Sequence, residues 1–161
     1  MEYSGMRKVL SICLALFALF GLAVTASADP GRTPEDAKAL VQKAAAFFKS
    51  EGKDKALAAF SDPKGGFVDG DLYLFVMDAK DGKLTMLAHG VNKALVGKPQ
   101  IDVKDAEGKA FNREMAAVLE KGNETWMTYA WPNPATKKIA PKKSYVVKVG
   151  DVVIGAGVYT N

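Results

Sequence analysis

Residues 71–77 read Asp-Leu-Tyr-Leu-Phe-Val-Met, one acid followed by six apolar side chains. The segment is rich in strand-forming residues. In a strand, Leu72, Leu74 and Val76 share one face and Tyr73, Phe75 and Met77 the other. Both faces are apolar, so both must be covered. The chain therefore needs a sheet with a layer on each side, and the rest of the sequence has to supply those layers.

The first layer lies upstream. Thr33-Pro34-Glu35-Asp36 reads as a helix start: Thr33 caps, Pro34 fits the first helical position, and the acids favour the positive end of the dipole. Ala37, Leu40, Val41, Ala44, Phe47 and Phe48 then recur at three- and four-residue spacing, with Glu35, Lys38, Gln42, Lys43 and Lys49 on the other side. This predicts an amphipathic helix of about five turns closed by Gly52. A short second helix is expected from Asp54 to Ser61, stopped by Asp62-Pro63.

Downstream, Asp78-Ala79-Lys80-Asp81-Gly82 reads as a hairpin loop and Lys83–His89 as the return strand. Residues 90–110 show no period; their turn signals are Gly97-Lys98-Pro99 and Asp105-Ala106-Glu107-Gly108. Phe111–Lys121 predicts a helix with Phe111, Met115, Val118 and Leu119 buried and Gly122 ending it. Three strands follow: Glu124–Trp131, Ser144–Val149 and, after a Gly150-Asp151 turn, Val152–Tyr159. Gly155 and Gly157 share a face of the last strand and leave room there for a close neighbour. The expected class is α+β, a five-stranded antiparallel sheet with the long helix on one face. The irregular middle segment covers the other face, and a loop-covered concave sheet makes a pocket.

The N-terminus reads as an address. Arg7 and Lys8 precede residues 9–24, which carry no charge, and Ala26-Ser27-Ala28 follows. A basic region, an apolar run and an A-x-A site make a secretory signal peptide cut after Ala28; the alternative is an uncleaved anchor. Cleavage leaves residues 29–161 as a single domain with 20 basic and 17 acidic residues, and removes the only cysteine, Cys13. A chain without thiols suits an oxidising exported compartment, periplasmic or secreted. Its lysines are dispersed, which argues against nucleic acid, and no later stretch could span a membrane.

Catalytic groups are scarce. The mature chain has no cysteine, no G-x-S-x-G elbow, and His89 alone among histidines, so no enzyme, cofactor or metal site is expected. Gly155-Ala156-Gly157 imitates a dinucleotide fingerprint but has no third glycine and no helix after it. More telling are Tyr129 and Trp131, two rings with polar tips on one strand face. They read either as core or as the wall of a small-molecule pocket. Lys142 shares a face with Ser144, and a lysine beside rings suits a carboxylate, unless both Lys142 and Lys143 are solvated.

Several segments in order carry a resemblance: Leu87-Ala88-His89, Leu95-Val96-Gly97-Lys98, Asp105-Ala106-Glu107-Gly108-Lys109, residues 121–134, Pro141-Lys142-Lys143-Ser144-Tyr145-Val146 and Ile154-Gly155-Ala156-Gly157-Val158-Tyr159. Together they make residues 34–160 resemble the single Cache domain, type 2, a PAS-like extracytoplasmic sensor module. The resemblance implies a small-molecule pocket, often for short carboxylates. Carried onto this chain, its contacts are His89, Tyr129, Trp131 and Lys142, with Tyr73 and Phe75 as walls. Lys142 is preferred to Lys143 because it follows Pro141. Gly90 stands where many relatives have Pro, and no output domain follows Asn161. The expected protein is thus a stand-alone exported binding protein read by a membrane receptor or another exported protein. The alternative is an interaction module whose pocket is filled by side chains. Intact-mass measurement of the exported protein tests the address: it should begin at Asp29, and a full-length mass would mean a retained anchor.

Overall fold

The computed structural model describes residues 31–160, so the signal peptide expected at residues 1–28 lies outside the described residues. The first helix, α1, spans Pro34–Glu51. Thr33 caps it as the sequence predicts: its hydroxyl accepts from Asp36 N, and the Asp36 carboxylate accepts from Thr33 N at 2.7 Å. Gly52 ends the helix at φ 81°, a left-handed conformation that suits glycine, and α2 follows over Lys53–Ser61.

The strands are β1 (Val68–Asp69), β2 (Leu72–Asp78), β3 (Met86–His89), β4 (Glu124–Pro132), β5 (Ile139–Val149) and β6 (Val152–Tyr159); the helix α3 (Phe111–Leu119) precedes β4. All pairings are antiparallel, in the order β1-β2-β6-β5-β4. The sequence reading of five strands gains a sixth here. β1 and β3 pair with successive parts of β2, at Leu72–Tyr73 and at Phe75–Met77. Two residues are too few to show a period, which is why β1 is silent in the sequence.

Two strand boundaries also move. The return strand begins at Met86, not Lys83, because Leu84 sits at φ 52° and Lys83 O turns away to accept from Gln100 N and Ile101 N. β5 starts at Ile139, so Lys142 and Lys143 lie within a strand and not in the loop before it.

The sheet is covered on both faces, as the apolar run in β2 requires. On one side, Ala37, Val41 and Ala44 of α1 and Ala56 and Phe60 of α2 pack on Leu72, Leu74, Val76, Tyr145, Ile154 and Val158. On the other, Met115 and Leu119 of α3 pack on Phe75, Met77, Val146 and Val153. Phe60 is fully buried and meets Phe67 edge-on with ring centroids 4.6 Å apart, and Phe47 at 6.0 Å. Phe60→Ala should therefore cost about 3–5 kcal/mol in urea denaturation; a loss below about 1 kcal/mol would mean that this corner collapses to fill the gap.

Candidate functional site

Alternation along the strands decides which side chains meet under the middle segment. Tyr73 and Phe75 of β2, Lys142 and Ser144 of β5, Gly155, Gly157 and Tyr159 of β6, and Tyr129 and Trp131 of β4 share the sheet face away from α1. The two glycines are required by this crowding. A Cβ on Gly155 would lie 2.3 Å from Cζ of Phe75, and one on Gly157 2.1 Å from Oγ of Ser144. The space expected beside them is taken by those two side chains. Gly90 has a similar constraint, since a Cβ there would meet Val68 Cγ2 at 2.7 Å.

All six residues expected from the sequence line one cavity of about 30 Å³. That is room for about two waters beyond what the side chains fill. Met77, Met86, Gln100, Phe111 and Asn112 complete its wall. These five were missed. The sequence put Met77 on the face of Tyr73 and Phe75 and Phe111 in a buried helix stripe without tying either to the site, while for Met86, Gln100 and Asn112 it gave no facing. A wider hollow of about 340 Å³, bounded by residues 91–95 and 131–137, shares Tyr73, His89 and Trp131 with the cavity.

Lys142 is the charged group of the site. It is 1 % exposed, and its Nζ lies 3.8 Å from the centroid of the Tyr73 ring and 5.1 Å from that of Tyr159. None of the ion pairs among the described residues involves it. Burial pulls its pKa down to about 7, against a weaker opposing attraction from Asp71. Lys143 faces the opposite side, with Nζ 5.1 Å from the Trp126 ring, so Lys142 alone of the pair reaches the cavity.

His89 is 3 % exposed and lies beside Tyr73, with ring centroids 4.9 Å apart. Its Nδ1 accepts from Asn92 N at 3.0 Å and from Val91 N at 3.4 Å. Nδ1 therefore carries no proton, and Nε2–H is the donor of a neutral ring. Burial, helped by the Lys142 charge, lowers the His89 pKa to about 4 and keeps the ring neutral.

The aromatic wall is ordered by contacts that fix each hydroxyl. The Tyr129 ring stacks on Phe111 at 4.2 Å and 4°, and Trp131 meets both rings edge-on. Tyr129 and Ser144 hydroxyls are 3.1 Å apart. Tyr159 OH donates to Pro132 O at 2.8 Å, so the 3.0 Å bond between Tyr73 and Tyr159 must be donated by Tyr73. Burial raises the pKa of all three phenols, keeping them protonated.

The cover is tied to the sheet edge by Asp105. Its Oδ1 accepts from Glu107 N and Lys109 N, and its Oδ2 from Ala130 N of β4 at 3.0 Å. Those bonds, Ala130 N first, hold the Asp105 pKa below its usual value. Lys109 Nζ adds a bond to Thr128 O at 2.8 Å. The turn role read from the sequence is correct for Asp105, but the longer reach to β4 is visible only in the fold.

Residues 25–161 match the family model for the single Cache domain 2. Among solved structures, the chain is similar to a methyl-accepting chemotaxis protein from Vibrio parahaemolyticus RIMD 2210633, with 23% identity and a TM-score of 0.66 over 78% of this chain and 86% of that one. A Cache chemosensory domain described for carboxylic acid recognition matches at 23% identity and a TM-score of 0.64, over 80% of this chain and 93% of that one. A periplasmic sensor domain of a chemotaxis protein matches at 26% identity and a TM-score of 0.60, over 79% and 90%.

The buried lysine has a signature in the protein without ligand. Its folded pKa of about 7 lies below the roughly 10.4 of an unfolded lysine, so above pH 7 the unfolded chain holds a proton that the folded one has released. Stability should therefore rise from pH 7 to about 9.5, and Lys142→Met should abolish that rise. Urea denaturation at pH 7, 8 and 9 checks this; an equal rise in both proteins would place the titration elsewhere.

Proposed function

The chain belongs to the single Cache domain 2 family, and from that premise we propose that it is an exported binding protein of the sensor type whose ligand is a short carboxylate. The observation that carries this reading is Lys142, a buried ammonium facing rings with no carboxylate paired to it among the described residues. Leaving a buried charge uncompensated is costly, and a bound anion removes that cost. His89 Nε2–H is a second donor for it. Nothing in this chemistry calls for catalysis: the phenols are neutral, His89 is neutral, and the lysine serves as a charge.

Binding proceeds from the wider hollow past Tyr73, His89 and Trp131 into the inner cavity. The segment at residues 90–110 and the start of α3 close over the ligand. Differential affinity for the open and closed forms carries the signal to a separate partner, a membrane receptor or another exported protein. Export follows the N-terminal address; among the described residues no helix is long and apolar enough to cross a membrane.

One observation favours a second reading. A cavity of about 30 Å³ is small, and the Phe111–Tyr129 stack already fills much of the site. An interaction module with a filled pocket would look like this. A thermal-shift screen of the purified protein against short carboxylates, amino acids, amines and purines separates the two. A carboxylate at 100 times its dissociation constant should add about 2.7 kcal/mol of stability, and Lys142→Met should erase the effect. Silence from a folded sample across the panel would favour the interaction module.

The proposal also fixes the pH dependence of binding. An anion needs a charged Lys142, so affinity should be greatest between the ligand's own pKa, about 4, and pH 7. Above pH 7 it should fall towards tenfold per unit, since binding then takes up a proton. Calorimetric titration at pH 6 and pH 9 reads this directly, and equal affinities would remove Lys142 from the site.

A further inference from the structure

The sheet face opposite the cavity is not wholly covered. There α1 packs chiefly on β5 and β6, and β4 lies beyond them at the sheet edge. Between α1 and the β4–β5 pair is a hollow of about 470 Å³. Its floor is Tyr145, Val147 and Val149, which share one face of β5 by alternation. Gln42, Ala45 and Lys49 of α1 form one wall. Tyr145 joins the hollow to an open aromatic surface: Trp126 of β4 lies against its ring, with centroids 5.0 Å apart, and is 37 % exposed.

The charge around this groove has one sign. Lysines scattered through the sequence gather here. Lys38 Nζ lies 5.3 Å from the centroid of the Tyr145 ring, Lys143 Nζ lies 5.1 Å from that of Trp126, and Lys49 lines the hollow itself. None of the three forms an ion pair among the described residues. Glu124 is the one acid that lines the hollow, and its carboxylate accepts from Tyr145 OH at 2.5 Å.

We propose that this groove docks the separate partner, and that it takes an extended acidic segment of a partner protein in which acids alternate with apolar side chains. The inference rests on the partner in the reading above and not on the ligand. The acids pair with the three lysines, and the apolar side chains cover the valines and Trp126. A Trp–Tyr pair at a surface is where binding energy between proteins concentrates. Lys38 and Lys49 lie three turns apart on α1, about 16 Å, the span of about five extended residues. A second copy presenting the same face would set lysine against lysine, which opposes pairing. A bilayer surface is flat and stops at the helix that walls the groove, whereas a chain segment reaches the floor.

Two probes test this on the purified protein at low salt: a fluorescein-labelled peptide, Asp-Phe-Glu-Val-Asp-Leu, and vesicles of equal parts phosphatidylglycerol and phosphatidylcholine. Fluorescence polarisation should show the peptide binding. Lys49→Glu with Lys143→Glu, one charge from each wall, should weaken it at least tenfold. Lys93→Glu with Lys104→Glu changes the net charge equally on exposed residues of the cover and should leave it within about twofold. Melting curves check that both pairs fold, and the single exposed substitution Lys49→Glu carries the test if the first pair does not. No binding of the peptide overturns the inference, and so does an equal loss in both pairs, which would mean attraction to net charge alone. Vesicles that bind where the peptide does not would assign the groove to a lipid surface and overturn it too. The cavity is read apart from this: a carboxylate thermal shift without peptide binding sinks this inference alone, and peptide binding without that shift sinks the carboxylate reading alone.

Discussion

Taking an ammonium out of water costs several kcal/mol unless something replaces the lost hydration. At Lys142 the replacement is the faces of Tyr73 and Tyr159, with Asp71 acting at longer range. The arrangement compensates the charge only in part, which is why the lysine's pKa falls to about 7. Much of the site is arranged around that group. The single Tyr159 hydroxyl accepts from Tyr73 and donates to Pro132 O, so the Tyr73 ring facing Lys142 cannot swing away freely. His89, neutral and fixed by two backbone donors, adds no second cation beside it.

The same side chains do structural work. Phe75 belongs to the packed cluster under α3 and also lines the cavity, and it fits only because Gly155 has no side chain. Ser144 fits because Gly157 has none, and Ser144 in turn partners Tyr129. The cavity is thus an unfilled part of the second core layer. The protein alone leaves that layer slightly short of filled.

The layer above the cavity is held at its margin. Asp105 satisfies a backbone donor on the outer edge of β4 that no neighbouring strand reaches, and Lys109 takes a carbonyl two residues before it. These polar ties let an irregular segment lie on a sheet without leaving orphaned backbone groups. They also leave the segment without extensive strand pairing.

Local pattern in the sequence determined the helix of residues 34–51 with its Thr33 cap, the two-faced strand read at 71–77, the terminal hairpin and the α+β class. Capping, periodicity and alternation are short-range physics and can be read without a fold. Tyr129, Trp131 and Lys142 could be placed on strand faces for the same reason, and the family resemblance added His89, Tyr73 and Phe75. Only the tertiary structure decided the rest. It turned Lys142 inward and Lys143 outward, brought Phe111 onto Tyr129, and set Gln100 and Asn112 above the lysine. It also showed that the pair of glycines admits protein side chains, with the remaining space confined to a small cavity. Those facts depend on how an aperiodic segment lies across a sheet, and a segment without a period carries no local signal of which side chain points inward.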